Sequence, residues 1–121
     1  MTLLLVEDDI DIQIVARRAL KRAGFVVAVA GNGVEALTAA RAETPDVILL
    51  DWMMPDMDGP EVCRQLKADP ATSGIPVIVL TARSQQAEIA RGLSLGAAGY
   101  IVKPFDALTL GDEVRQMLGQ A

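Results

Sequence analysis

Apolar residues fall into short continuous runs, separated by stretches where they recur every third or fourth position. Residues 2–6 (TLLLV), 46–50 (DVILL) and 76–80 (PVIVL) are of the first kind and suit strands buried on both faces. Pro76 stands first in its run, where a missing N–H is tolerated. Residues 25–30, rich in Val, and 99–102 add two further strands. Residues 9–22, 34–42, 59–68, 84–95 and 106–118 read as helices. In the first of them Ile10, Ile14 and Ala16 fall to one side, with Arg17, Arg18, Lys21 and Arg22 largely elsewhere. Gly24 reads as a C-terminal glycine, Asn32-Gly33 as a turn, and Asp58 and Ser84 as N-caps. Five apolar strands alternating with five helices predict an α/β fold, a parallel sheet covered on both faces.

Composition narrows what such a fold does. A chain of 121 residues fits one domain and buries enough surface to fold without a disulfide or structural metal. No linker, repeat or second domain is visible, so residues 1–121 read as one domain with no effector domain on this chain. The net charge of -5 argues against a nucleic-acid or acidic-membrane partner, since both need Lys and Arg to neutralise phosphates. No apolar run approaches a membrane span, and strand-like sequence starts directly after Met1, so the expected compartment is the cytoplasm. Cys63 is the single cysteine and reads as a small buried apolar residue. The count of His is 0, which removes Ser-His-Asp and Cys-His chemistry, His-ligated zinc and any phosphohistidine on this chain.

Ligand sites of open parallel sheets lie beyond the carboxyl ends of the strands. Here those ends carry Glu7, Asp8 and Asp9 after the first strand, Asp51 after the third, Thr81 after the fourth and Lys103 after the fifth. If the first and third strands are neighbours, Asp8 and Asp51 share one rim. Clustered carboxylates either protonate or hold a cation. Oxygen donors without nitrogen or sulfur favour a hard ion, and a few carboxylates with water favour Mg²⁺. With Mg²⁺ on one oxygen of a phosphoryl group, the Thr81 hydroxyl and the Lys103 ammonium are suited to the others, which makes Asp51 the nucleophile. Taken singly the residues have plainer readings: Asp9 as a helix cap, Lys103 as a solvated charge, Tyr100 as a half-buried sheet residue.

LLLVEDD at 3–9, PDVILLDWMMPDMDG at 45–59, IPVIVLTA at 75–82 and GAAGYIVKPF at 96–105 together resemble the response-regulator receiver domains of two-component signalling, along essentially the whole chain. The resemblance implies a doubly wound flavodoxin-like (βα)5 fold with strand order 2-1-3-4-5. It implies that Asp51 is the phosphoacceptor and that the chain promotes its own phosphorylation and dephosphorylation. Glu7 and Asp8 become the acidic pair, and the Met53 backbone carbonyl a further metal ligand. Thr81 and Tyr100 become the switch pair and Lys103 the phosphate-pairing lysine, with a cis peptide before Pro104. The implied partners are a histidine kinase or histidine phosphotransfer protein as donor, and a downstream effector protein. The surface that changes would be the one formed by helix four, strand five and helix five. Met53 and Arg83 would tune water access to the acyl phosphate. Arg91 suits a charged dimer contact, but Gly99 supplies no acid and Glu113 stands where a base is common, so a monomer or weak dimer is expected.

Three other readings compete. A haloacid-dehalogenase-type enzyme would need a second Asp where Met53 stands. An FMN module would need a phosphate loop after the first strand. A non-phosphorylated pseudo-receiver would be an interaction module only.

Overall fold

The computed structural model describes residues 1–54, 57–82 and 86–119. In chain order the elements are β1 (Thr2–Val6), α1 (Ile10–Arg22), β2 (Val26–Ala30), α2 (Gly33–Glu43), β3 (Val47–Asp51), α3 (Gly59–Ala68), β4 (Val77–Ala82), α4 (Gln86–Ser94), β5 (Gly99–Lys103) and α5 (Leu110–Met117). The five strands form one sheet of order β2-β1-β3-β4-β5, every pair parallel. This is the architecture the sequence predicts.

The period-two alternation of the strands divides the interior into two cores. Leu4, Val6, Ile48, Leu50, Val77 and Val79 pack with α2 and α3 residues such as Leu37, Val62 and Leu66 on one face. Leu3, Leu5, Leu49, Ile78, Leu80 and Ile101 pack with Leu20 of α1 and Leu110 and Val114 of α5 on the other. Cys63 lies in the first core as expected, and burial pushes its thiol pKa up. Trp52, whose placement the sequence leaves open, is buried there too.

Three boundaries differ from the sequence pattern in a way that matters for chemistry. β3 reaches Asp51, β4 reaches Ala82 and β5 reaches Lys103, each beyond the end of its apolar run. Ladder pairing needs backbone, not an apolar side chain, and Asp51 pairs with Leu80 while Ala82 pairs with Lys103. α5 starts at Leu110 and not at 106, because residues 106–109 form a turn. The Asp106 carboxylate accepts from the Leu108 N–H at 2.9 Å, and its carbonyl accepts from the Thr109 and Leu110 N–H groups. The Asp9 and Asp58 carboxylates cap α1 and α3 through the Ile12 and Glu61 N–H groups. Gly24 ends α1 with φ 98°. Ser84 lies outside the described residues.

α1 corrects the reading of its apolar side. Ala16, Ala19 and Leu20 face the sheet, while Ile10 and Ile14 are 68% and 44% exposed. At 100° per residue Ile10 and Ile14 lie nearly opposite that triplet, so the two isoleucines belong to the outer surface. Arg115 of α5 locks the far end of the same helix: its Nη2 donates to the Ala23 carbonyl at 2.6 Å and its guanidinium lies 4.5 Å from the Phe25 ring centroid.

Gly59, at the first turn of α3, is packed so closely that an added Cβ would stand 2.6 Å from the Trp52 Cα, whereas one at Gly74 would meet nothing within 4 Å. Gly59→Ala should therefore cost about 1–3 kcal/mol of stability by overpacking, with Gly74→Ala near neutral. Denaturant titration followed by fluorescence of Trp52, the single tryptophan, checks both.

Candidate functional site

The register of the sheet brings the ends of β1, β3 and β5 to one rim, where Glu7, Asp51 and Lys103 meet. Lys103 Nζ lies 3.0 Å from Glu7 Oε2 and 3.1 Å from Asp51 Oδ1. Glu7 and Asp51 are buried and the Lys103 side chain is 22% exposed. Asp8, on the exposed lip, brings a carboxylate oxygen to within 4.8 Å of oxygens from both Glu7 and Asp51. These groups line an open cleft of ≈ 390 Å³ together with Asp9, Ile12, Met53 and Ala82.

Backbone amides brace the acids. The Asp9 N–H donates to Glu7 Oε1 at 3.2 Å, and the Met53 N–H donates to Asp51 Oδ1 at 3.3 Å. Thr81 is buried at the end of β4 and donates to the Ala82 carbonyl at 3.4 Å. The Lys103-Pro104 peptide is cis. Tyr100 is not part of the cleft. It is 40% exposed and lines a separate groove between β5 and α5, with Phe105, Asp106, Glu113 and Met117.

Burial, and then the neighbouring Glu7, push the Asp51 carboxyl up to about 7, against the opposing pull of Lys103. For Lys103, burial works to lower the pKa, but the bond to Glu7 and the charges of Asp51 and Glu7 carry it above its ordinary value. The rim is thus short of positive charge even with the ammonium in place. Three carboxylates with converging oxygens, no His or Cys ligand beside them among the described residues, and an Asp held toward its protonated form are what a small hard divalent cation would relieve.

Gln13 is the contributor that sequence reasoning missed. Its Nε2 donates to the Glu7 carbonyl, tying α1 to the turn that aims the acids. The available signal was a polar residue one turn into a helix that follows an acidic strand end. Asp9 serves as the α1 cap and is not one of the three converging carboxylates. Arg83 lies outside the described residues.

The response regulator receiver domain family matches residues 3–115. The chain is 43% identical over 116 residues to the DNA-binding response regulator MtrA of Mycobacterium tuberculosis (strain ATCC 25618 / H37Rv), covering 96% of this chain and 50% of that protein. It is 40% identical over 116 residues to the phosphate regulon transcriptional regulatory protein PhoB of Rhizobium meliloti (strain 1021), covering 96% and 51%. The chain therefore spans about half the length of the curated relatives it matches. Among solved structures it is similar to the chemotaxis response regulator CheY4 of Vibrio cholerae, with a TM-score of 0.89, 32% identity and coverage of 96% and 97%. It is also similar to the receiver domain of a sensor histidine kinase from Pseudomonas aeruginosa PAO1, with a TM-score of 0.88, 30% identity and coverage of 98% of both chains. That structure has a magnesium ion coordinated in its active site cleft.

The raised Asp51 pKa has a stability consequence. The fold holds a proton that the unfolded chain releases at its ordinary value of 3.8. The stabilisation is complete below about pH 4 and is lost as pH rises through about 7. In chelator, Asp51→Asn is expected to melt above the wild type at pH 8, with the gap closing toward pH 4. Thermal unfolding at matched pH measures this, and a gap independent of pH would refute the assignment.

Proposed function

This chain belongs to the response regulator receiver domain family, and we propose that Asp51 is the residue on which it carries a phosphoryl group. The donor is a phosphohistidine on a histidine kinase or a histidine phosphotransfer protein, because this chain has no histidine of its own. The observation that carries this reading is the meeting of Glu7, Asp51 and Lys103 within 3.0–3.1 Å contacts, with Asp8 beside them.

An Asp51 oxygen attacks phosphorus as the P–N bond to the donor imidazole breaks, leaving an acyl phosphate. Lys103 is already placed against Asp51 and pairs with a phosphoryl oxygen, and the Thr81 hydroxyl donates to another. Glu7, Asp8, Asp51 and the Met53 carbonyl are the groups that would hold Mg²⁺. When bound, the ion supplies the positive charge that lets an anionic phosphoryl group sit beside three carboxylates. Met53 is exposed at the cleft and offers no group to orient an attacking water, which favours a long-lived phosphoryl state.

The output is a change of the surface formed by α4, β5 and α5, read by a downstream effector protein. Thr81 moves toward the phosphoryl group and Tyr100 turns inward from its exposed position. Phosphorylation then shifts an equilibrium through contacts that differ between the two states. DNA binding is said of the MtrA relative and is not assigned to this chain.

Incubation with a small-molecule phosphodonor and Mg²⁺ should add one phosphoryl group by intact mass. The adduct should be absent in Asp51→Asn and in EDTA, and its yield should fall at least tenfold in Lys103→Ala. No adduct on a folded wild-type chain would leave only an interaction module. Tyr100 is the single tyrosine, so its ring signals report the switch by NMR. They should shift on phosphorylation of the wild type and stay in place in Thr81→Ala.

A further inference from the structure

Glu7 and Asp8 follow one another, yet both send carboxylate oxygens into the same cluster with Asp51. In a strand, consecutive side chains point to opposite faces, so the backbone has to leave strand geometry between the two acids. It does so here: β1 ends at Val6 and the chain bends at Asp8.

The two acids are held very differently. The Glu7 N–H donates to the Ala30 carbonyl at 3.0 Å. Its Oε1 accepts from the Asp9 N–H at 3.2 Å and its Oε2 from the Lys103 ammonium at 3.0 Å. Its carbonyl accepts from Gln13 Nε2. Asp8 is exposed, and among the described residues no hydrogen bond or ion pair holds its carboxylate. The direction of Asp8 is therefore set by the peptide in front of it. A peptide unit is planar, so fixing its carbonyl fixes the plane and with it the start of the Asp8 side chain. That carbonyl is the one Gln13 holds.

Gln13 is well placed for this. It sits in the first turn of α1, its own N–H bonded to the Asp9 carbonyl at 2.9 Å. Its side chain folds back beside the turn after β2, where a Cβ added at Gly31 would stand 3.7 Å from Nε2. The Asp9 carboxylate caps the same helix, so cap, bend and glutamine close one ring of bonds behind the acids.

We propose that Gln13 is a positioning residue for the divalent ion, its amide fixing the Glu7–Asp8 peptide and so aiming Asp8 into the cleft. This rests on the reading of Glu7, Asp8 and Asp51 as side chains that hold Mg²⁺. Groups that orient metal ligands from behind typically change affinity about 10–100-fold. Mg²⁺ demands near-ideal octahedral placement of its ligands, whereas Ca²⁺ accepts flexible coordination. Losing the aim of Asp8 therefore weakens Mg²⁺ more than Ca²⁺. A change in electrostatic field does not separate them this way, because both ions carry the same charge.

The test titrates the full ¹⁵N-labelled chain with MgCl₂ and with CaCl₂, following the amide shifts of residues 7–9. Gln13→Met keeps the length of the side chain and loses the N–H donor. Its Kd should rise about tenfold for Mg²⁺ and less than about threefold for Ca²⁺. Gln13→Arg restores a donor, and its added charge opposes both ions alike, so the ratio of the two constants should return to the wild-type value. In chelator the Met variant should melt within about 5 °C of the wild type, the cost of one ordinary hydrogen bond. A larger drop makes Gln13 a structural residue and overturns the proposal. Equal Mg²⁺ affinity in wild type and Met variant, an equal loss for both ions, or an Arg variant that keeps the Met variant's ratio each overturns it as well. A wild type that binds neither ion removes the cation site itself and this inference with it, a result distinct from a wild type that binds and a variant that binds equally well.

Discussion

One partly buried ammonium organises the candidate site of this molecule. Lys103 reaches from the last strand to two carboxylates on the first and third strands, and without it Glu7 and Asp51 would face each other as uncompensated buried acids. Burying such a triplet does little for net stability, since desolvation consumes most of the Coulombic gain. Its value is positional: under the proposed function, the acid that would attack phosphorus is held 3.1 Å from the cation that would pair with the transferred group. The parallel sheet makes this affordable, because its two apolar cores hold the strand ends rigidly from both faces.

Much of this was legible in the chain. The continuous apolar runs announced doubly covered strands, and Asp51 stood out because it closes one of them. The family motifs supplied the strand order and hence which ends are neighbours, something that periodicity alone does not contain. The sequence could not show that the strands continue into the chemical residues, because ladder hydrogen bonds are indifferent to side-chain polarity. It gave only a weak sign of Gln13, a polar residue one turn into the helix, because the group that Gln13 holds is a backbone carbonyl.

α1 misled for a different reason. Its two leading isoleucines look like core residues by hydropathy, yet the sheet is contacted by the smaller Ala16 and Ala19 together with Leu20. Small residues let the helix lie close to the strands, so a face chosen by bulk alone is the wrong one. What remains outside is an apolar and cationic surface on an otherwise acidic molecule.

The bonds that join the two extremes of the chain have a consequence for biosynthesis. Lys103 to Glu7 spans 96 positions and Arg115 to Ala23 spans 92, so the reactive rim and the brace between the outer helices are both made across nearly the full length. A nascent polypeptide whose fifth strand is still inside the ribosome has a negatively charged rim with no lysine to compensate it. Such a species can collapse around its first strands, but its acids stay uncompensated until the fifth strand joins the sheet.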